Sequence, residues 1–193
     1  TDVVTPAGGI APANLNRVLI NLHGGGFSAG GRFGGQLESV PIVGLGGMKV
    51  ITVDYRMAPE HRFPAASEDV ARVYTELLKS YRAENIGIYG CSAGAMLTAE
   101  SVAWFQTHGL PRPGAITMAG GGAVMDRWGD GNYISAALGG YPAPALAAAK
   151  DASSFGCYFS GHDLADPMIS PGHHDSIMKQ FPPSLIISGI RDL

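Results

Sequence analysis

Asn85-Ile86-Gly87-Ile88-Tyr89 runs straight into Gly90-Cys91-Ser92-Ala93-Gly94, and Ala95 to Gln106 follows without a break. The first piece is short and apolar, as a buried strand is, and the last is apolar almost all round, as a buried helix is. Strand, tight turn and helix in direct succession put Ser92 on a sharp bend. Gly90 and Gly94 there omit side chains that would clash with the turn and the helix behind it. The serine hydroxyl is left exposed above the sheet, with the N–H of Ala93 at a helix N-terminus.

Outward from this stretch, Arg17 to Leu22 and Lys49 to Tyr55 read as two further buried strands, the second rich in β-branched residues. After Pro64, the positions Val70, Val73, Tyr74, Leu77, Leu78 and Tyr81 recur at helical spacing, with Glu68 and Asp69 in the first turn where the helix dipole favours them. Gly114 to Met118 and Ser184 to Ser188 supply two more strands. Such alternation predicts an α/β fold with a mostly parallel sheet and helices on both faces. Residues 119–180 are less regular and predict an excursion that contributes to a cap or lid. No repeat or linker divides the chain, so a single domain over residues 1–193 is expected.

Composition narrows the function classes. With 46% hydrophobic and 15% charged residues the chain can bury one sizeable core, which excludes disorder. A net charge of -3 supplies no electrostatic footprint for nucleic acid or an anionic membrane, so the expected partner is a small molecule. The uncharged run from Asn132 to Ala149 is broken by Gly139, Gly140, Pro142 and Pro144 and reads as no transmembrane helix. Cys91 and Cys157 are too few for a disulfide scaffold, though they leave one bridge open, and a reducing compartment, the cytoplasm, is the default.

A lone G-x-S-x-G is weak, since composition alone gives about 0.3 chance matches in such a chain. His23 followed by Gly24, Gly25 and Gly26 is rarer, at about 0.02, and both motifs follow an apolar strand as their mechanism requires. Together they describe acyl transfer. Ser92 is the candidate nucleophile, and the N–H groups of Gly25, Gly26 and Ala93 are candidate donors to a tetrahedral oxyanion.

The runs His23 to Phe27, Asp54 to Ala66 and Gly90 to Gly94, continued by Asp166-Pro167, Ser170-Pro171 and Phe181-Pro182-Pro183, resemble the hormone-sensitive-lipase-like branch of the α/β-hydrolases. The resemblance runs from about Val18 onward. It implies a serine carboxylesterase of small to medium acyl esters needing no cofactor or metal, with Asp192 as the acid of the triad beside Ser92. A lactone hydrolase, whose cyclic substrate passes through the same oxyanion, is the alternative within the enzyme class. In this fold the triad runs Ser, acid, His along the chain. All six histidines here, His23, His61, His108, His162, His173 and His174, precede Asp192. The resemblance also implies a chain shortened at both ends, so the base is expected beyond Leu193 in a longer parent, the fold incomplete at its C-terminus, and the strand Ser184 to Ser188 an edge covered by a second copy or a complementing C-terminal fragment. A non-catalytic binding protein is the second class, because the gibberellin receptors of this branch keep the elbow without the histidine. Those receptors interrupt the glycine loop with a serine, whereas His23 to Gly26 is intact.

The remaining polar residues read as structure. His23 is expected to hold the glycine loop by hydrogen bonding. Arg56, Glu60 and His61 should fix the turn before the helix, and Cys91 should be buried behind the elbow. His162, Asp163, Asp166, His173, His174 and Asp175 lack metal-ligand spacing and read as a solvated loop. Trp104 and Phe105 belong to the core, and Phe27 either lines the acyl pocket or packs.

Overall fold

A computed structural model describes residues 1–126 and 154–189 of the chain. Among these residues a six-stranded sheet has the order β1-β3-β2-β4-β5-β6, where β1 is Asp2–Val4, β2 Val18–Leu22, β3 Lys49–Val53, β4 Ile86–Cys91, β5 Ala115–Ala119 and β6 Ser184–Ile187. β1 is antiparallel to β3 and every other neighbouring pair is parallel. The helices are α1 (Phe33–Gly46), α2 (Ala65–Leu77), α3 (Ala93–Thr107), α4 (Ser154–Phe159) and α5 (Asp175–Met178).

The parallel register fixes which side chains share a face, because in-register neighbours point the same way. On one face Ile51, Ile20, Ile88 and Ile116 stand side by side, and Val53, Leu22, Gly90 and Met118 form the next row. This apolar face joins Val70 and Tyr74 of α2 and Leu97, Val102 and Phe105 of α3 in the main core. The opposite face carries Thr52, Asn21, Tyr89 and Thr117 in one row and is covered by α1. There Gly35 presses on Thr52, and the Tyr89 hydroxyl donates to Ser39 Oγ at 3.3 Å.

The strands and the two expected helices fall where the sequence places them; four elements were not foreseen, of which α4 and α5 lie in the stretch expected to be irregular. β1 is a short edge strand. α1 was missed because its sequence carries glycines and Pro41 and turns no apolar stripe inward: Gly35, Ser39 and Val43 are its buried residues, while Phe33, Leu37, Val40 and Leu45 are exposed. β6 lies at the sheet edge with Leu185, Ile186 and Ile187 all exposed. Of the irregular stretch 119–180, residues 127–153 lie outside the described residues, and so does the run Asn132 to Ala149. Among the described residues no helix is long and apolar enough to cross a membrane.

Candidate active site

The strand order turns back between β2 and β4, since β3 lies to one side of β2 and β5 beyond β4. Crevices at the carboxyl ends of strands at such a switch point are where α/β sheets bind ligands. Both motif loops sit there. Leu22 is in register with Gly90, so the glycine loop after β2 and the serine turn after β4 leave the sheet side by side.

Ser92 occupies φ 54 and ψ -121, a left-handed conformation that costs a non-glycine residue about 1–3 kcal/mol. The surroundings hold it there. Its N–H donates to Ala119 O at 2.8 Å, and its own carbonyl accepts from Ala95 and Met96 in the first turn of α3. A Cβ on Gly94 would overlap the carbonyl of Leu22, and one on Gly90 would overlap Gly94. The two glycines are thus required by the elbow and by its seat against the end of β2. Ala93 opens a helix of 15 residues, and Ser92 stays partly exposed at its head.

The glycine loop is held at consecutive peptide planes. The Tyr55 hydroxyl donates to His23 O at 2.7 Å, and the Tyr55 ring stacks on His23 with centroids 4.3 Å apart. Burial, with smaller contributions from Glu38 and Glu100, pushes the Tyr55 phenol far above its ordinary range, so it remains a donor. His23 Nδ1 donates to Gly24 O at 2.7 Å, which is the loop-holding role expected of it. Gly24 itself abuts the elbow, where a Cβ would lie 3.1 Å from Cys91 O and 3.4 Å from Ser92 Cβ. Gly25 and Gly26 follow with φ of 125 and 61. Among the described residues the N–H groups of Gly25, Gly26 and Ala93 donate to nothing else.

Asp192 lies outside the described residues. Cys91, the last residue of β4, is exposed, not buried behind the elbow as expected. Cys91 and Cys157 form no disulfide with each other. Phe27 is completely buried and stacks on Tyr158 at 4.7 Å between centroids, so among the described residues it packs. Arg56 does fix the turn before α2, but through Asp69 and Glu68 and the carbonyl of Ala65, while Glu60 and His61 are exposed. Those carboxylates raise the Arg56 guanidinium above its ordinary value, Asp69 foremost. Phe105 is in the core and Trp104 is half-buried against it. His173 pairs with Asp126, and among the described residues no three His, Cys, Asp or Glu side chains are grouped to hold a metal ion.

Glu38 escaped the sequence reading. Its Oε1 accepts from the N–H of Gly24 at 3.0 Å and its Oε2 accepts from Asn21 Nδ2 at 2.8 Å. The available signal was faint: Glu38 is the only charged residue between Arg32 and Lys49.

A sheet of this order, with a strained serine between strand and helix and a glycine loop against it, defines an α/β-hydrolase scaffold. The chain belongs to the α/β-hydrolase fold family, whose model matches residues 19–193. It is 35% identical to an esterase designated E25, with a TM-score of 0.81 over 98% of this chain and 56% of that one. A bacterial esterase of the hormone-sensitive lipase family matches at 28% identity and a TM-score of 0.80, over 94% of this chain and 60% of its own. An acetyl-hydrolase from Streptomyces hygroscopicus is 29% identical over 100% of this chain and 64% of its own length. The chain thus spans under two thirds of the length of these relatives.

Proposed function

We propose that the protein is a serine carboxylesterase in which Ser92 attacks an ester carbonyl. The oxyanion is received by the N–H groups of Gly25, Gly26 and Ala93 and collapses to the acyl-enzyme as the ester C–O bond breaks and the alcohol leaves; water then releases the acid and returns the Ser92 hydroxyl. Asp192 is the acid that orients the base. The observation that carries this reading is the conformation of Ser92: a left-handed serine at the head of α3, pressed against Gly24 and partly open to solvent. Relatives named esterase, acetyl-hydrolase and hormone-sensitive lipase family support a small ester as substrate. We assign the active protein to the cytoplasm and expect the apolar β6 edge to be covered by a second copy or a complementing segment.

Intact mass before and after a fluorophosphonate, with the adduct mapped by proteolysis, tests the assignment. One adduct on Ser92, lost in Ser92→Ala together with turnover of 4-nitrophenyl acetate, is the expected result. Turnover retained by Ser92→Ala overturns it.

A further inference from the structure

Resting on that reading, we propose that Glu38 is a positioning residue of the oxyanion loop, acting through the peptide between His23 and Gly24. A peptide unit is planar, with its C=O and N–H pointing opposite ways, so gripping both ends fixes the plane. Tyr55 holds the oxygen of this unit and Glu38 holds its N–H. The next unit, whose N–H is that of Gly25, has its oxygen held by His23 Nδ1. The direction of the Gly25 N–H is therefore set by two fixed planes in series, and Glu38 ties the first of them to a strand of the sheet.

The anchor is Asn21, completely buried one residue before the end of β2. The carboxylate bridges it to the loop, one oxygen to each. Loop and strand are then at a fixed spacing where Gly24 also meets Ser92 Cβ and Cys91 O. Without the bridge, the Gly24 N–H has no other partner among the described residues, and the plane of the His23–Gly24 peptide is held at its oxygen alone. A misplacement of about 1 Å at a catalytic donor is enough to cost on the order of 100-fold in rate.

The conservative variant is unusually well provided for. Asn21 Oδ1 is buried with no partner among the described residues; a turned Asn21 amide accepts from the Nε2 of a glutamine at position 38 while the glutamine Oε1 keeps the Gly24 N–H, and the unpaired end of the amide becomes Nδ2 in place of Oδ1. The test is steady-state kinetics on 4-nitrophenyl acetate, with fluorophosphonate labelling of Ser92 and melting temperature measured on the same samples. Glu38→Ala should lower kcat about 10- to 100-fold with KM changed by less than about threefold, because the loss falls on the transition state. Glu38→Gln should return kcat to within about threefold of the parent, since both bonds survive. If Glu38→Ala fails to fold, Glu38→Asp, shorter by one methylene, carries the same expectation of a fall in kcat alone. Unchanged kcat with a lowered melting temperature overturns the proposal, as does an equal loss in the alanine and glutamine variants. A parent protein that neither turns over ester nor takes the fluorophosphonate overturns the esterase reading, and this proposal with it; an active parent with indifferent Glu38 variants overturns only the proposal.

Discussion

Ile20 and Asn21 are neighbours in β2 and both are completely buried, but they face opposite sides of the sheet and opposite chemistries. Ile20 stands in a row of four isoleucines beneath α2 and α3. Asn21 stands in the row Thr52, Asn21, Tyr89, Thr117 beneath α1, tied to Glu38. The first face is held by apolar area, which is strong and without direction. The second is held by close backbone approach and directed hydrogen bonds, which contribute less stability but fix positions. Burial on that second face also pushes the Tyr89 phenol up to about 12, so its hydroxyl stays a donor to Ser39. The site uses both: the core face seats α3 and the elbow, and the polar face ties down the glycine loop.

Exchanging the two chemistries breaks the comparison most severely. Ile20→Asn removes a buried side chain and leaves an amide without a partner among isoleucines, and should cost about 4 kcal/mol or more. Asn21→Leu, one residue on, should cost about 1–3 kcal/mol, chiefly by stranding Glu38 Oε2. Urea midpoints of the two variants test this; equal losses would mean that the faces do not differ in how they stabilise the fold.

Next in size is the packing of α1. A Cβ on Gly35 would lie 3.0 Å from Thr52 Cβ and Oγ1, both on a buried residue. Gly35→Val should therefore push α1 away from β3 and cost about 1–3 kcal/mol. It should also weaken the Glu38 bridge and lower esterase kcat, whereas a loss of stability with unchanged kcat would separate helix seating from loop positioning.

This helix also shows where the sequence could be read and where it could not. The core face is legible because its residues obey periodicity: Val70, Val73, Tyr74 and Leu77 mark α2, and the β-branched runs mark β2 and β3. The elbow is legible because a strained serine needs glycine on both sides, and Gly90 and Gly94 announce it. α1 is not, since its inward stripe is Gly35, Ser39 and Val43 and its large apolar residues face out. A pattern rule would bury the wrong side. Glu38 was hidden for the same reason, as its partners Asn21 and Gly24 become neighbours only once α1 is laid across the sheet. Cys91 shows the limit from the other direction: the elbow was foreseen, but its flanking side chain, at the last position of β4, is exposed.

Glu100 sharpens the comparison from the apolar side, as an acid in α3 that is completely buried with neither oxygen bonded among the described residues. Burial raises its carboxyl well above the ordinary 4.5. The folded chain then holds a proton that the unfolded chain has released, so stability falls as pH rises from 4.5 through the folded value. Glu100→Gln should melt with the parent in acid and increasingly above it as pH climbs. Glu100→Met should gain about 1–2 kcal/mol near neutrality. A gap independent of pH would mean that the carboxyl has the same affinity for its proton folded and unfolded.

The smallest effect is expected on the outer side of α1, where Leu45 is 93% exposed and Phe33, Leu37 and Val40 are also open to solvent. Because α1 is held from beneath by Gly35, Ser39 and Glu38, its outward leucine contributes little to the fold. Leu45→Glu should change the unfolding free energy by less than about 0.5 kcal/mol, within the range of ordinary surface substitutions. The same change on a helix seated by its apolar residues would be severe, so the contrast with Ile20→Asn measures how far the two faces differ. A cost above about 1 kcal/mol, growing with protein concentration, would show that this side is covered in solution by another copy, because only a surface buried by association responds to concentration.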